Sequence, residues 1–269
     1  MFRTLLEPAE LLPELGQPHL TVVDVGDEST FTRHHVPGAV HVDYENLIDM
    51  KPPAMGLLPA PDRLESLFSN LGMSTGSHIV AYDDERNSLA CRLLWTLDAV
   101  GHGRFSLLNG GLRAWIAEGH PVESGPPSPS GGRLPVAGVT TALADKAYVL
   151  AQLGNPDVVI LDTRSPEEYT GTDVRAARGG HIPGAVNMDW TLAIDPEREP
   201  RLKPADDLRE MLQRLGVTPD REVIVYCQTH HRSSHTYVTL KSLGYPRVRG
   251  YHGSWSEWGN DPDLPIESD

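Results

Sequence analysis

VVILDTRSPEEYTGTDVRAARGGHIPGAVNMDW, residues 158–190, repeats in altered form a stretch met earlier in the chain. Residues 21–44 read TVVDVGDESTFTRHHVPGAVHVDY. Asp24 aligns with Asp162, and His35-Val-Pro-Gly-Ala-Val with His181-Ile-Pro-Gly-Ala-Val; the later copy carries eight more residues between the two points. Two further matches follow in the same order. HIVAYDDERNS (78–88) aligns with EVIVYCQTHHRS (222–233), setting Asp83 opposite Cys227. Gly110-Gly-Leu-Arg-Ala-Trp115 aligns with Gly253-Ser-Trp-Ser-Glu-Trp258. Asp83 to Trp115 is 32 residues and Cys227 to Trp258 is 31. Matched blocks in one order and at like spacing indicate duplication of a domain of about 120 residues.

The repeat divides the chain into a first domain at 1–123, a linker at 124–140 and a second domain at 141–269. Pro121, Pro126, Pro127, Pro129 and Pro135, with neighbouring Gly and Ser, predict an exposed, extended connection. Within each copy, short β-branched runs (20–25, 79–82, 158–161, 223–226) read as buried strands. Helical patterns lie between them at 62–71, 89–100, 205–215 and 234–243, with Gly72, Gly101, Gly216 and Gly244 just past their ends. This alternation predicts an α/β fold of two domains, each a parallel sheet with helices on both faces. Sites on such sheets form at the carboxyl ends of the strands, which is where Cys227 falls.

Composition narrows the partners. The 269 residues hold 37 Asp plus Glu against 23 Lys plus Arg, a formal charge of -14. That balance argues against nucleic acid and anionic membrane surfaces. The first sixteen residues have no basic segment or long apolar run, so no secretory signal is read, and no stretch approaches the length of a membrane span. The expectation is a soluble, monomeric, cytoplasmic protein. Its two cysteines, Cys91 and Cys227, lie 136 residues apart and make no disulfide framework.

YCQTHHRSSHT, residues 226–236, carries the chemistry. A strand, a short loop and a helix from about residue 233 form a nest of inward N–H groups, to which the helix adds its positive end. A cysteine at the base of that nest should be largely thiolate near neutral pH. Arg232 adds a guanidinium suited to an oxyanion. Cysteine phosphatases place five residues between Cys and Arg; here there are four, a smaller cradle that suits one extra sulfur better than a phosphate. Cys227, His230, His231 and His235 are all zinc-ligand types, yet a nest that turns N–H groups inward turns side chains outward, so no metal is expected. His230 and His231 are read either as surface residues fitting the turn or as groups that tune the loop's charge. Asp24, Asp162, His35 and His181 are read as structural, Trp115 and Trp258 as core, and Cys91 as a small buried apolar residue. In the first copy Asp83, Asp84 and Glu85 stand in the loop, which should repel an anion and leave that copy inactive.

Asp162-Thr-Arg164, Gly180–Ala185, Cys227–Arg232 and Gly253–Trp258 together resemble the rhodanese superfamily. The two-copy layout with cysteine only in the second is similar to tandem-domain thiosulfate and mercaptopyruvate sulfurtransferases. The Cys-Gln-Thr-His-His-Arg loop resembles that of the Azotobacter and Pseudomonas tandem rhodaneses. The resemblance implies that Cys227 takes the outer sulfur of thiosulfate as a persulfide and passes it to cyanide or another thiophile. It implies that Gln228, Thr229, His230, His231 and Arg232 hold donor and persulfide, and that no cofactor is needed. Two alternatives stand beside it: a mercaptopyruvate enzyme, or a persulfide carrier serving sulfur-accepting proteins. Where mercaptopyruvate enzymes carry an Arg in a Gly-Arg-Phe segment, this chain has Glu168-Tyr169. Their second substrate Arg corresponds to Arg175 or Arg178 only across a gap. Thiosulfate is therefore the favoured donor.

Overall fold

The computed structural model describes every residue except Met1, Pro127, Ser128, Ser130, Glu199 and Asp269. Its strands, in chain order, are β1 Leu5–Leu6, β2 Leu20–Asp24, β3 Val40–His41, β4 Asp49–Lys51, β5 Ala54–Leu57, β6 His78–Tyr82, β7 Phe105–Leu108, β8 Leu143–Ala144, β9 Val158–Asp162, β10 Val186–Asn187, β11 Glu222–Tyr226 and β12 Val248–Tyr251. The helices are α1 Pro8–Leu11, α2 Glu28–Arg33, α3 Pro61–Asn70, α4 Ser88–Ala99, α5 Gly111–Ala117, α6 Lys146–Ala151, α7 Pro166–Thr170, α8 Ala205–Arg214, α9 Arg232–Ser242 and α10 Ser254–Trp258.

The chain forms two compact units, each built on a five-stranded parallel sheet flanked by helices. The first sheet runs β1-β7-β6-β2-β3 and the second β8-β12-β11-β9-β10, the same order with equivalent strands. The sequence repeat is thus a structural one, down to register: Asp24 pairs with Tyr82, and Asp162 with Tyr226. β-Branched residues fill the central strands because both faces are covered; Val23, Ile79, Val80, Val223, Ile224 and Val225 are fully buried.

The corners repeat as well. The Tyr82 hydroxyl accepts from Val36 N at 3.0 Å, and Tyr226 from Ile182 N at 3.1 Å. His35 stacks on Phe31 at 4.0 Å and His181 on Tyr169 at 3.7 Å, each with Nδ1 on the carbonyl of its stacking partner. Trp115 and Trp258 donate their indole N–H to Pro121 and Pro265 carbonyls. These histidines and tryptophans are buried structural parts of their units.

Two features depart from the sequence reading. The described part of 124–140 has no helix or strand and is mostly exposed, but it is also anchored: Leu134 and Val136 are buried, Gly132 N donates to Ser69 O at 3.0 Å and Thr140 N to Ala99 O at 2.7 Å. Two apolar side chains among the prolines were enough to dock the segment on the first unit, to which its described residues belong. Pro127 lies outside the described residues. The units also exchange short segments. Ile48–Leu58, with the β4–β5 hairpin, belongs to the second unit, and Ile194–Leu202 to the first. There Arg201 bonds to Glu7 and Glu118 carboxylates, and Leu202 N donates to Asn109 Oδ1 at 2.9 Å. Among the described residues no helix is long and apolar enough to cross a membrane.

Candidate active site

β11 is the middle strand of the second sheet, and Cys227 follows its last residue, with α9 beginning at Arg232. The loop's carbonyls have outward partners. Cys227 O accepts from Trp255 N and Gln228 O from Ser256 N, both at 2.9 Å, while the Ser234 hydroxyl bonds to the carbonyls of His230 and His231. Turning the carbonyls out turns N–H groups in. The Cys227 sulfur accepts from the backbone N–H of Thr229 and Ser233 and from the Ser233 hydroxyl. Burial works against its thiolate, but the Arg232 charge and those three hydrogen bonds outweigh it, and the thiol titrates below the ordinary cysteine value. The positive end of α9 acts in the same direction.

His230 makes the turn, with φ of +55°, and is fully buried rather than on the surface. Its Nδ1 lies 2.7 Å from the Ser233 hydroxyl, which itself reaches Cys227. His235 is buried edge-on to Trp190, and its pKa is pushed down to about 4 by burial, then by His231. Among the described residues no three His, Cys, Asp or Glu side chains gather where they could hold a metal ion. Cys91 is buried in α4, where burial, then the nearby Asp83, pushes its thiol up.

Arg232 does not point alone into the nest. Its two terminal nitrogens bond to both carboxylate oxygens of Glu168, at 2.6 and 2.8 Å. Glu168 is 1% exposed and sits at the third position of α7, in a capping box with Ser165. Its carboxyl is held below the usual range because the Arg232 bonds outweigh the cost of burial. In the first copy, Thr30 stands at the position of Glu168, and Asn87-Ser88 stands where the second has Arg232-Ser233, so both members of the pair are missing together.

Arg175 and Arg178 lie on the segment that only the second copy has. Gln228 Nε2 donates to the Arg175 carbonyl at 2.9 Å, which ties that segment to the cysteine loop. The Arg175 side chain is 56% exposed, on Asp173 and 3.8 Å from Glu168. Arg178 is turned elsewhere: its guanidinium donates to the carbonyls of Trp258, Asp261 and Leu264 beyond α10. Its terminal nitrogens serve to complete the helix end.

The β4–β5 hairpin forms a wall of this site that the sequence did not reveal. Met55 N donates to the Ser256 hydroxyl at 3.1 Å and Leu58 N to His252 Nδ1 at 3.0 Å. Gly56 lies so close to the loop that a Cβ there would fall 1.9 Å from Thr229 O. Thr229 supplies one of the N–H groups on the sulfur, so the hairpin backs the nest directly.

The first copy fills its nest with a side chain of its own. Asp83 Oδ1 accepts from Glu85 N and Asn87 N, and Oδ2 from Leu89 N and Ala90 N, at 2.8 to 3.1 Å. Its carbonyl accepts from Leu112 N at 3.0 Å, as Cys227 O does from Trp255 N. The loop's own buried carboxylate fills the cradle, so an anion is kept out by occupancy as well as by charge. Burial, only partly offset by those bonds, pushes that carboxyl up to about 6.

A duplicated parallel sheet with a cysteine nest in the second copy defines the class, and the comparisons agree. Residues 7–118 and 145–261 match the rhodanese-like domain family, and the chain belongs to that family. It is 48% identical over 262 residues to a thiosulfate sulfurtransferase of Pseudomonas aeruginosa, covering 97% of this chain and 96% of that protein. It is 47% identical to a thiosulfate sulfurtransferase of Azotobacter vinelandii, with the same coverage. Among solved structures, YnjE superposes with a TM-score of 0.87 at 22% identity, over 98% of this chain and 68% of that one, which shows the shared fold.

Proposed function

We propose that the chain is a thiosulfate sulfurtransferase working through a persulfide on Cys227. The observation that carries this reading is the sulfur of Cys227 held by two backbone N–H groups, a hydroxyl and the Arg232 charge at the start of α9. A stabilised thiolate is a nucleophile, and the same donors stabilise the negative outer sulfur of a persulfide. The thiolate attacks the outer sulfur of thiosulfate; the sulfur–sulfur bond of the donor breaks, and sulfite leaves with its electron pair. Cyanide, or another thiophile, then attacks the outer sulfur of the persulfide, giving thiocyanate and restoring the thiolate.

Gln228, Thr229, His230, His231 and Arg232 serve this cycle as the frame of the nest. His230 does so through Ser233, and Gln228 by anchoring the Arg175 segment. The first unit takes no part in the chemistry, since a carboxylate fills its nest. The donor is a small anion, the acceptor a small thiophile, and the protein works as a cytoplasmic monomer, its catalytic domain at 141–269 completed by the hairpin. Initial rates at varied thiosulfate and cyanide test the cycle: it requires parallel double-reciprocal lines, and intersecting lines would reject it.

A further inference from the structure

Glu168 has no place in the cycle above, yet it is buried, charged and bonded to both terminal nitrogens of Arg232. Planar carboxylates match the guanidinium fork in a bidentate manner, whereas a tetrahedral sulfonate is well served by convergent backbone N–H groups. We infer that Glu168 is a specificity-determining residue: by filling the Arg232 fork with a carboxylate of its own, it denies that fork to sulfur donors that carry a carboxylate. A donor such as a 2-oxo acid bearing a thiol then finds its best partner occupied. Arg175, the exposed cation beside this pair, is itself engaged by Asp173 and lies 3.8 Å from Glu168, so it offers no free fork in its place. Thiosulfate loses nothing by this, because the nest holds it. The first copy, with neither an Arg nor a Glu at these positions, has nothing to select for.

The inference rests on the sulfurtransferase reading, and the test separates the two. Glu168→Gln removes the charge and keeps the shape. Glutamine still serves at the third position of a capping box, so α7 is retained. It can accept only one hydrogen bond cleanly from the fork, which opens the other nitrogen. One charge-assisted hydrogen bond to a new carboxylate corresponds to about a tenfold gain. The ratio of kcat/KM for 3-mercaptopyruvate to that for thiosulfate should therefore rise at least about tenfold, through KM rather than kcat. Inhibition by pyruvate, which has the carboxylate but no sulfur to give, should tighten in parallel.

In Glu168→Gln combined with Arg232→Lys, the rise should vanish, because an ammonium offers no fork. A smaller rise in the single variant, or one that survives in the double variant, would overturn the inference. Failure of the unaltered enzyme to release sulfite from thiosulfate would instead overturn the sulfurtransferase reading itself.

Discussion

Gly56→Ala probes whether the hairpin holds the nest in shape. The added Cβ would lie 1.9 Å from Thr229 O, 2.6 Å from its carbonyl carbon and 3.0 Å from its Cα. All three are backbone atoms of the cysteine loop, so no flexible side chain can yield. Restoring ordinary contact requires hairpin and loop to part by about 1.5 Å. Thr229 N–H would move with its carbonyl and leave the Cys227 sulfur. The thiol pKa should rise, and a misplacement of roughly 1 Å at a reacting group costs on the order of 100-fold in rate. The overpacking should also cost about 1–3 kcal/mol of stability. Single-turnover sulfite release from thiosulfate measures the rate, and denaturant unfolding the stability. Gly103→Ala is the control, since a Cβ there meets nothing within 4 Å. Wild-type rate and stability in Gly56→Ala would show that the hairpin is a bystander.

Three further outcomes are expected. Alkylation of Cys227 by iodoacetamide should show a pH midpoint below that of an ordinary thiol, while Cys91 stays unreactive in the folded protein; equal reactivity of the two would refute the assigned environments. Arg164→Met should cost about 3–5 kcal/mol in unfolding, because it strips the buried Asp162 of the guanidinium bonded to both its oxygens and removes the cation that lies 4.5 Å over Trp255; a loss under about 1 kcal/mol would contradict that pairing. Asp24 has Gly26 where Asp162 has Arg164, and burial, despite the Gly26 N–H bond, pushes its carboxyl up to about 7 from 3.8. A raised carboxyl pKa means the native state holds the proton more tightly. Its contribution is complete below 3.8 and is lost as pH rises through about 7. Stability of the first unit should thus fall across that window, and Asp24→Asn should flatten the fall, with Asp83 leaving a residual slope ending near 6.

The repeat was legible because it is written in residues with backbone duties. His-x-Pro-Gly corners, strand-end aspartates and closing tryptophans recur with the same hydrogen bonds in both units. The nest was legible from the count between Cys227 and Arg232. Glu168 was passed over because its partner lies 64 residues away and its local spelling, Ser165-Pro-Glu-Glu168, reads as a helix start. The joint absence of a Glu and an Arg at the corresponding positions of the first copy was the available signal. The hairpin was hidden for a different reason: Asp49–Leu57 precedes the loop it supports by some 170 residues, and its counterpart at 194–202 shares little of its spelling. Asp83 was legible as a charge that keeps anions out, but not as the occupant of the cradle, because the four N–H groups that hold it come from backbone the residue names do not describe.

Intact mass after incubation with thiosulfate tests the central claim most directly. The account predicts a gain of one sulfur atom, removed by cyanide, in the unaltered protein and in Cys91→Ser, and no gain in Cys227→Ser. A gain that persists in Cys227→Ser, or no gain in the unaltered protein, would contradict it.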